Sequence, residues 1–483
     1  LFQSFKNTGV VVQFSLNNAF DLSSSTKDGE FDLSSLDSDL DDLIGIKFSS
    51  NGLKIFAVNR GDSKVFEYSL GCAFTLIAGS CPSITEDKDR TGMALAQIEI
   101  AKRTIDHSTD TALNRLKWIR RNKDKQNLTN LNINFKFTDQ RLASLTEAVK
   151  TSAAKKKKKD KEKDIFYWSE GSIAIGRIGD TSIASSRKVD TDSITFGADR
   201  LTNKKGIEGL AFRVGRNNVD VGTAGSNLNT DSYNITYYST SPVKDETKFF
   251  DTIFGIGKLN SDLLTVVDGI NIKADRSGHQ IYGTIRIKDE IKKNNVTFIP
   301  SGRFDIGHSI LDSYKESGAG AIHVQKQHIR SKKIRTGLAA VEDVSNEKYN
   351  LKRHGKIEYV ANIDRSSSFE YSYVDDSSTS FYDTLHSEAL HNINGEVGID
   401  IIMPNKFSVF LIYERNQALG SGYTDKIHVA IGYLPNQKTN YAFSIVGSKN
   451  LLSKLQFKKN INGLNLSFDL SDNLSRPGNI KEA

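Results

Sequence analysis

"SGHQIYGTIRIKDE" occupies Ser277–Glu290. Ile281, Gly283, Ile285 and Ile287 alternate with Tyr282, Thr284, Arg286 and Lys288. A strict period of two is the signature of a β-strand with one apolar and one polar face. Arg286 sits between two isoleucines, so the faces are chemically opposed residue by residue. The strand therefore needs an apolar medium on one side and a polar, charge-tolerant space on the other.

The same alternation recurs along the chain. Leu210, Phe212 and Val214 flank Arg213; Ile334 stands between Lys333 and Arg335; Val397, Ile399 and Ile401 alternate with Glu396 and Asp400. Tyr233, Ile235 and Tyr237 form another such face, as do Ile427, Val429 and Ile431. Twelve strand candidates centre near residues 174, 197, 213, 235, 254, 284, 304, 336, 360, 398, 411 and 429. Many reach about 10 residues, enough to cross a tilted membrane barrel wall. Some connections are short, such as Asn203–Gly206; the stretch Ser366–His391 reads as a long loop. Short turns at one end and long loops at the other suit an outer-membrane barrel.

The fold class is therefore mainly β: a closed antiparallel outer-membrane barrel over residues 165–435. It has twelve strands, or fourteen reaching residue 470 if the alternating segments Tyr441–Ile445 and Leu464–Leu470 join it. A Lys or Arg at the lipid midplane costs roughly 2–4 kcal/mol. Arg213, Arg286, Lys333, Arg335, Glu396, Asp400 and Glu414 are accordingly expected to face the lumen. Phe166, Tyr167 and Trp168 open the first strand and suit an interfacial aromatic girdle.

Composition agrees with this class. The 483 residues include 36 Gly, 6 Pro, 16 Tyr and 26 Phe, usage that fits long strands with aromatic ends. No run of 18 apolar residues occurs, which excludes a helical membrane span but not a barrel. A net charge of +7 admits a soluble, basic nucleic-acid-binding β protein as a rival reading, but acidic and basic residues are interleaved nearly everywhere except Lys155–Lys159. No G-x-S-x-G, H-E-x-x-H or Walker loop is present, and no cofactor or metal site is expected. The closest histidine spacings, His323/His328 and His386/His391, lie in expected loops.

Two regions precede the barrel. Residues 86–164 read as helical. Leu113, Leu116, Trp118 and Ile119 share one face, and a second helix starts at Asp139 with the narrow stripe Leu142, Leu145 and Val149. The lysine run reads as its solvated end. Residues 1–80 carry a weak repeat: "VQFSLNNAFDL" (Val12–Leu22) aligns with "FEYSLGCAFTL" (Phe66–Leu76). Between them, Ile44–Leu70 reads strand, Asn51-Gly52 turn, strand, Gly61-Asp62 turn, strand. This stretch resembles a blade of the YVTN or NHL-like β-propellers. Cys72 and Cys81 are compatible with either a thiol pair or a small disulfide. The chain opens at Leu1 with no signal peptide and reads as a fragment or processed chain.

From Trp168 onward the chain resembles the autotransporter β-domain of type V secretion. "WSEGSIAIGRIGD" (Trp168–Asp180) is similar to the first strand of that domain. "GAD" (Gly197–Asp199), "GLA" (Gly209–Ala211), "VDVG" (Val219–Gly222) and "TDSY" (Thr230–Tyr233) follow in family order, and then "FFDTIFGIGKLNSD" (Phe249–Asp262) and the segment Phe298–Val324. The resemblance implies a barrel that exports and anchors an N-terminal passenger at the surface of a Gram-negative cell, without catalysis. A surface adhesin that uses the barrel only as an anchor is the alternative. The partners implied are outer-membrane lipid, the barrel assembly machinery and the chain's own passenger, with no nucleic acid. It also implies that a helix just before the first strand threads the lumen, which the residues assign to Asp139–Lys163. In the oxidising exterior, Cys72 and Cys81 are expected to pair.

Overall fold

A computed structural model describes residues 1–122 and 165–473, except 6–7, 17–20, 50–51, 53, 62, 71–74, 77–82, 203–205, 244–246, 268, 319, 375–379, 405–406, 421, 434–438, 447–451 and 462–463. Cys72, Cys81, the Asp139 helix and the lysine run lie outside the described residues.

Twelve strands form the wall: β1 (Ile165–Ile178), β2 (Arg187–Leu201), β3 (Ile207–Val221), β4 (Ser226–Pro242), β5 (Lys248–Val267), β6 (Ile270–Asp289), β7 (Val296–Leu311), β8 (Gln327–Asp343), β9 (Asn350–Asn362), β10 (His391–Ile402), β11 (Phe407–Ala418) and β12 (Tyr423–Tyr433). Each pairs antiparallel with its sequence neighbours, and β12 returns to β1 with Tyr423 opposite Arg177 and Val429 opposite Gly171. The sheet is thus closed, so no strand edge is left in lipid. A short extra strand, Ile291–Lys293, folds back on β7 at the β6–β7 turn.

The pleat sorts the side chains. On β6, Ile281, Ile285 and Ile287 are exposed on the outside while Tyr282, Thr284, Arg286 and Lys288 are buried inside. The outer face carries Leu210, Ile235, Phe254, Ile306, Ile334, Ile357, Val397 and Ile427, a belt of apolar side chains around the barrel.

Within the wall lies one long helix, α1 (Lys88–Arg121), 34 residues and so about 50 Å long. The Asp87 side chain caps it by accepting from the backbone N–H groups of Asp89 and Arg90. Arg120 and Arg121 at its other end suit the helix dipole. The segment filling the described lumen is therefore Lys88–Arg121; the Asp139–Lys163 assignment lies outside the described residues. The Asp139 segment has the cleaner amphipathic stripe, but a helix surrounded by a wall is buried on every side and needs no stripe.

Three expectations are corrected. Phe166 and Trp168 are not girdle residues. They share the inward parity of β1, and Trp168 is 1% exposed. The cause is opposite it on β2: Gly197 leaves a gap that the indole fills, and a Cβ there would collide with the ring. Only Tyr167 of the three lies on the outer face, where it is partly exposed. Second, Ser366–His391 is not an open loop. Ser366–Tyr373 and Phe381–His386 pair with each other, and with Ile322–Val324 and Tyr314–Lys315 they make a four-stranded cap sheet. Third, the barrel does not extend to fourteen strands. Among the described residues, Thr439–Val446, Leu452–Ile461 and Leu464–Asn473 pair only with one another.

The N-terminal region forms two three-stranded sheets. Phe2–Ser4, Val10–Leu16 and Ser25–Asp32 make one; Leu43–Phe48, Lys54–Asn59 and Lys64–Ser69 make the other, a meander with Gly52 at φ 70° in its first turn. Val11, Leu33, Leu40, Leu43, Ile55, Ala57 and Leu76 form their common core.

Candidate functional site, a charged lumen around a helix

The two ends of α1 define the two mouths. At the N-terminal end the Lys88 carbonyl accepts from the Ser185 N–H at 2.9 Å, and the Arg90 guanidinium donates to the Gly320 carbonyl at 2.6 Å. The Tyr371 hydroxyl of the cap sheet accepts from the Ile84 N–H at 2.7 Å. This is the mouth with the long connections. At the C-terminal end Arg120 reaches Glu290 in the β6–β7 turn at 2.7 Å, and its guanidinium stacks 3.4 Å over Phe249. This is the mouth with the short turns. Residues 1–83 thus continue from the helix on the long-loop side.

Between the mouths, charges on the helix meet opposite charges on the wall. In its first two thirds, Glu99 accepts two hydrogen bonds from Arg187, at 2.8 and 3.0 Å. Asp106 lies 2.7 Å from Lys333 and 3.0 Å from Arg335; Asp110 lies 2.9 Å from both Arg303 and Lys426. In the last third the helix supplies the cations of the pairs with the wall. Arg115 pairs with Asp199 at 2.7 Å, Lys117 with Glu396 at 2.9 Å and Arg121 with Asp400 at 2.6 Å, while the Arg121 carbonyl accepts from Lys352. Buried ions are tolerated only when paired and hydrogen-bonded. The helix charges named above meet that condition in the observed register.

Apolar packing supplements the pairs. Met93, Ile98 and Ile100 lie with Val219, Leu259, Ile329 and the cap-sheet residues Phe369 and Tyr371. Leu113, Leu116, Trp118 and Ile119 lie with Trp168, Tyr238, Ile253 and Phe410. Among the described residues, cavities border the helix. One of about 540 Å³ is lined by Asp106, Asp110, Arg335 and Glu388 among others; another, of about 330 Å³, lies near the short-turn mouth between Lys117, Arg121, Lys288 and Glu396.

All seven residues assigned to the polar face point inside. Arg213 is fully buried and donates to the Ser232 hydroxyl at 3.4 Å. Arg286 pairs with Asp251 at 2.7 Å, and Glu414 with Lys426 at 3.2 Å. Lys333, Arg335, Glu396 and Asp400 hold the helix directly. What sequence reading missed is the other half of the lattice, the helix residues Glu99, Asp106, Asp110, Arg115 and Arg121. Their signal was density of charge within a helix that also carries Leu113, Leu116 and Ile119.

Glu388, in the connection before β10, folds into the long-loop mouth. Burial pushes its carboxyl up, but Lys333 at 2.7 Å and Lys102 at 3.3 Å outweigh that and hold it at about 2. Among the described residues no group of three or more His, Cys, Asp or Glu side chains is arranged to hold a metal ion.

A closed antiparallel barrel, apolar outside and charged within, is a membrane barrel of the bacterial outer-membrane class. The chain belongs to the autotransporter family: the autotransporter beta-domain model matches residues 167–414. Solved structures to which it is similar include the translocator domain of autotransporter NalP from Neisseria meningitidis (12% identity, 61% of this chain and 95% of that chain, TM-score 0.46). The transport unit of autotransporter AIDA-I from Escherichia coli is another (14% identity, 59% and 97%, TM-score 0.40). The beta domain of the Bordetella autotransporter BrkA is a third (10% identity, 55% and 98%, TM-score 0.39). No curated protein matches the chain. The barrel is an outer-membrane barrel for passenger secretion.

Proposed function

We propose that the barrel carries the chain upstream of Lys88 through the outer membrane to the cell surface and then retains α1 as a plug that anchors it. One observation carries this reading. The helix that leads out of the long-loop mouth to residues 1–83 lies inside a closed wall. A covalently continuous chain reaches that position only by passing through the pore or by having the wall close around it. The barrel needs no catalytic residue for this, since its work is to offer a polar path and then a set of ionic anchors. The two small N-terminal sheets are the surface-borne part, a propeller-like passenger region in which Cys72 and Cys81 pair in the oxidising exterior. The barrel assembly machinery is the partner required to insert such a wall.

The test is protease access in intact cells expressing the chain behind a secretion signal. External protease is expected to remove epitopes within residues 1–80 while the barrel persists. Protection of those epitopes until the outer membrane is permeabilised would reject surface display.

A further inference from the structure

On most of the outer rim at the long-loop end, cations are neutralised by acids on a neighbouring strand. Arg177 lies 3.6 Å from Asp190, Arg216 3.1 Å from Asp231, and Arg415 3.1 Å from Asp425. Four consecutive strands, β5 to β8, break this pattern. Followed toward the long-loop mouth, their outward side chains change from apolar to basic over two neighbouring rungs: Ile256 to Lys258, Ile281 to His279, Ile306 to His308, and Ile334 to Lys332, Arg330 and His328, with Ile310 opposite His279 as the apolar exception.

Register draws these groups together. Lys258 stands directly opposite His279, and His308 directly opposite Arg330. The His308 and His328 rings meet at 3.2 Å, Nε2 to Nδ1. Adjacent strands are about 4.8 Å apart, so the patch spans about 15 Å. Lys332 is satisfied by Asp364 at 3.3 Å, but among the described residues Lys258, His279 and Arg330 have no acidic partner within 4.0 Å. The outward acids of β5 and β6 at this end, Asp262 and Asp275, face each other beyond a rung of Asn260 and Ser277.

Basic side chains at the edge of an apolar belt are placed to meet lipid headgroups, whose phosphate oxygens accept charge-assisted hydrogen bonds. We propose that Lys258, His279, His308, His328 and Arg330 form a binding site for a phosphate-bearing lipid of the leaflet on the long-loop side. Its acyl chains lie on Ile256, Ile281 and Ile306.

The test uses the full chain folded in zwitterionic detergent and titrated with dioleoyl phosphatidic acid, bound lipid being counted by native mass spectrometry. Dioleoylglycerol is the phosphate-free comparison and inorganic phosphate the competitor. Replacing all five residues by Gln is expected to weaken phosphatidic acid binding at least tenfold, and Lys258→Gln with Arg330→Gln about threefold. Arg216→Gln with Arg415→Gln, from the neutralised rim, is expected to leave it unchanged. The site is overturned if the paired variant binds like the native chain, if the rim control loses as much, or if dioleoylglycerol binds equally well. Displacement by equimolar inorganic phosphate would overturn the lipid assignment. If the fivefold variant does not fold, the paired variant decides.

Discussion

Arg115 of α1 grips Asp199 of β2 at two points, Nε to Oδ2 at 2.7 Å and Nη2 to Oδ1 at 3.0 Å, with both side chains almost wholly shielded from solvent. The Tyr238 hydroxyl on β4 donates to the same carboxylate at 2.9 Å and accepts from the Trp168 indole N–H on β1 at 2.6 Å. One helix residue thus ties three wall strands into a single hydrogen-bonded chain. A guanidinium fork is the geometry best suited to a buried carboxylate. A slide of one helical turn, about 5.4 Å, would strand Asp199 and the other wall ions at once.

Arg115→Ala should therefore destabilise the folded chain strongly, by about 3–5 kcal/mol, because Asp199 is left buried without its counterion. Asp199→Asn added to that variant should recover much of the loss by removing the stranded charge. Urea titration of the heat-modifiable form in lipid vesicles measures both. Equal stability of the single and double variants would mean that Asp199 is rehydrated once Arg115 is gone.

Removing the plug opens the pore. A helix about 10–12 Å across occupies most of the interior of a barrel of this size. Deletion of Lys88–Arg121 should leave a folded wall with a single-channel conductance in planar bilayers several times that of the intact chain. Unchanged conductance in a folded deletion variant would contradict the plug.

Acid should loosen the plug through Glu388. Its folded value of about 2 lies below the ordinary 4.5, so its stabilising contribution is complete above pH 4.5 and is lost as pH falls from 4.5 toward 2. Lys102 of α1 and Lys333 of β8 then lose a shared counterion. Glu388→Gln should remove this part of the acid sensitivity and lower stability at pH 7. Stability curves measured between pH 2 and 7 for both proteins test it. Parallel curves across that window would show that Glu388 does not contribute.

The two faces of β6 should respond oppositely to charge. Ile285→Arg places a guanidinium among acyl chains at a cost of roughly 2–4 kcal/mol. Arg286→Ile is gentler, since Lys288 remains 3.3 Å from Asp251. The folded fraction after reconstitution in lipid should be lower for Ile285→Arg. The reverse order would invert the faces.

The wall was legible because alternation is a local property. Ile281–Lys288 states its two faces without knowing its neighbours, and each of the twelve strand centres falls within a wall strand. The contents were less legible because they depend on what surrounds them. Glu99, Asp106 and Asp110 read as solvated helix charges until Arg187, Lys333 and Arg303 are brought beside them from 88 to 227 positions away in sequence. The cap sheet was hidden in the same way: Tyr371 and Phe381 look like loop aromatics, and only the pairing of Ile322–Val324 with β-structure beyond β9 shows that they share a core. Trp168 was misread because aromatic residues at strand starts commonly mark the membrane interface, whereas the deciding fact was a missing side chain on the next strand.

That missing side chain can be tested. Trp168 faces Gly197 across the β1–β2 ladder, Tyr238 covers Gly209 of β3, and Tyr282 covers Gly255 of β5. In each case an inward ring takes the space a Cβ would occupy, which lets large aromatics fit beside a helix already filling the lumen. Gly197→Val would drive branched carbons into the indole plane. The ring would have to leave its contact with Arg115, whose guanidinium carbon lies 5.6 Å from the ring centre, and give up its hydrogen bond to Tyr238. Overpacking of this kind costs roughly 1–3 kcal/mol, and a lost buried hydrogen bond adds about 1 kcal/mol. Gly197→Val should therefore reduce the folded fraction after reconstitution. Trp168→Ala in the same chain should restore part of it by vacating the space, although Trp168→Ala alone is destabilising. If Gly197→Val and the double variant fold to the same extent, the glycine is required for backbone freedom or strand pairing, and the indole does not depend on it.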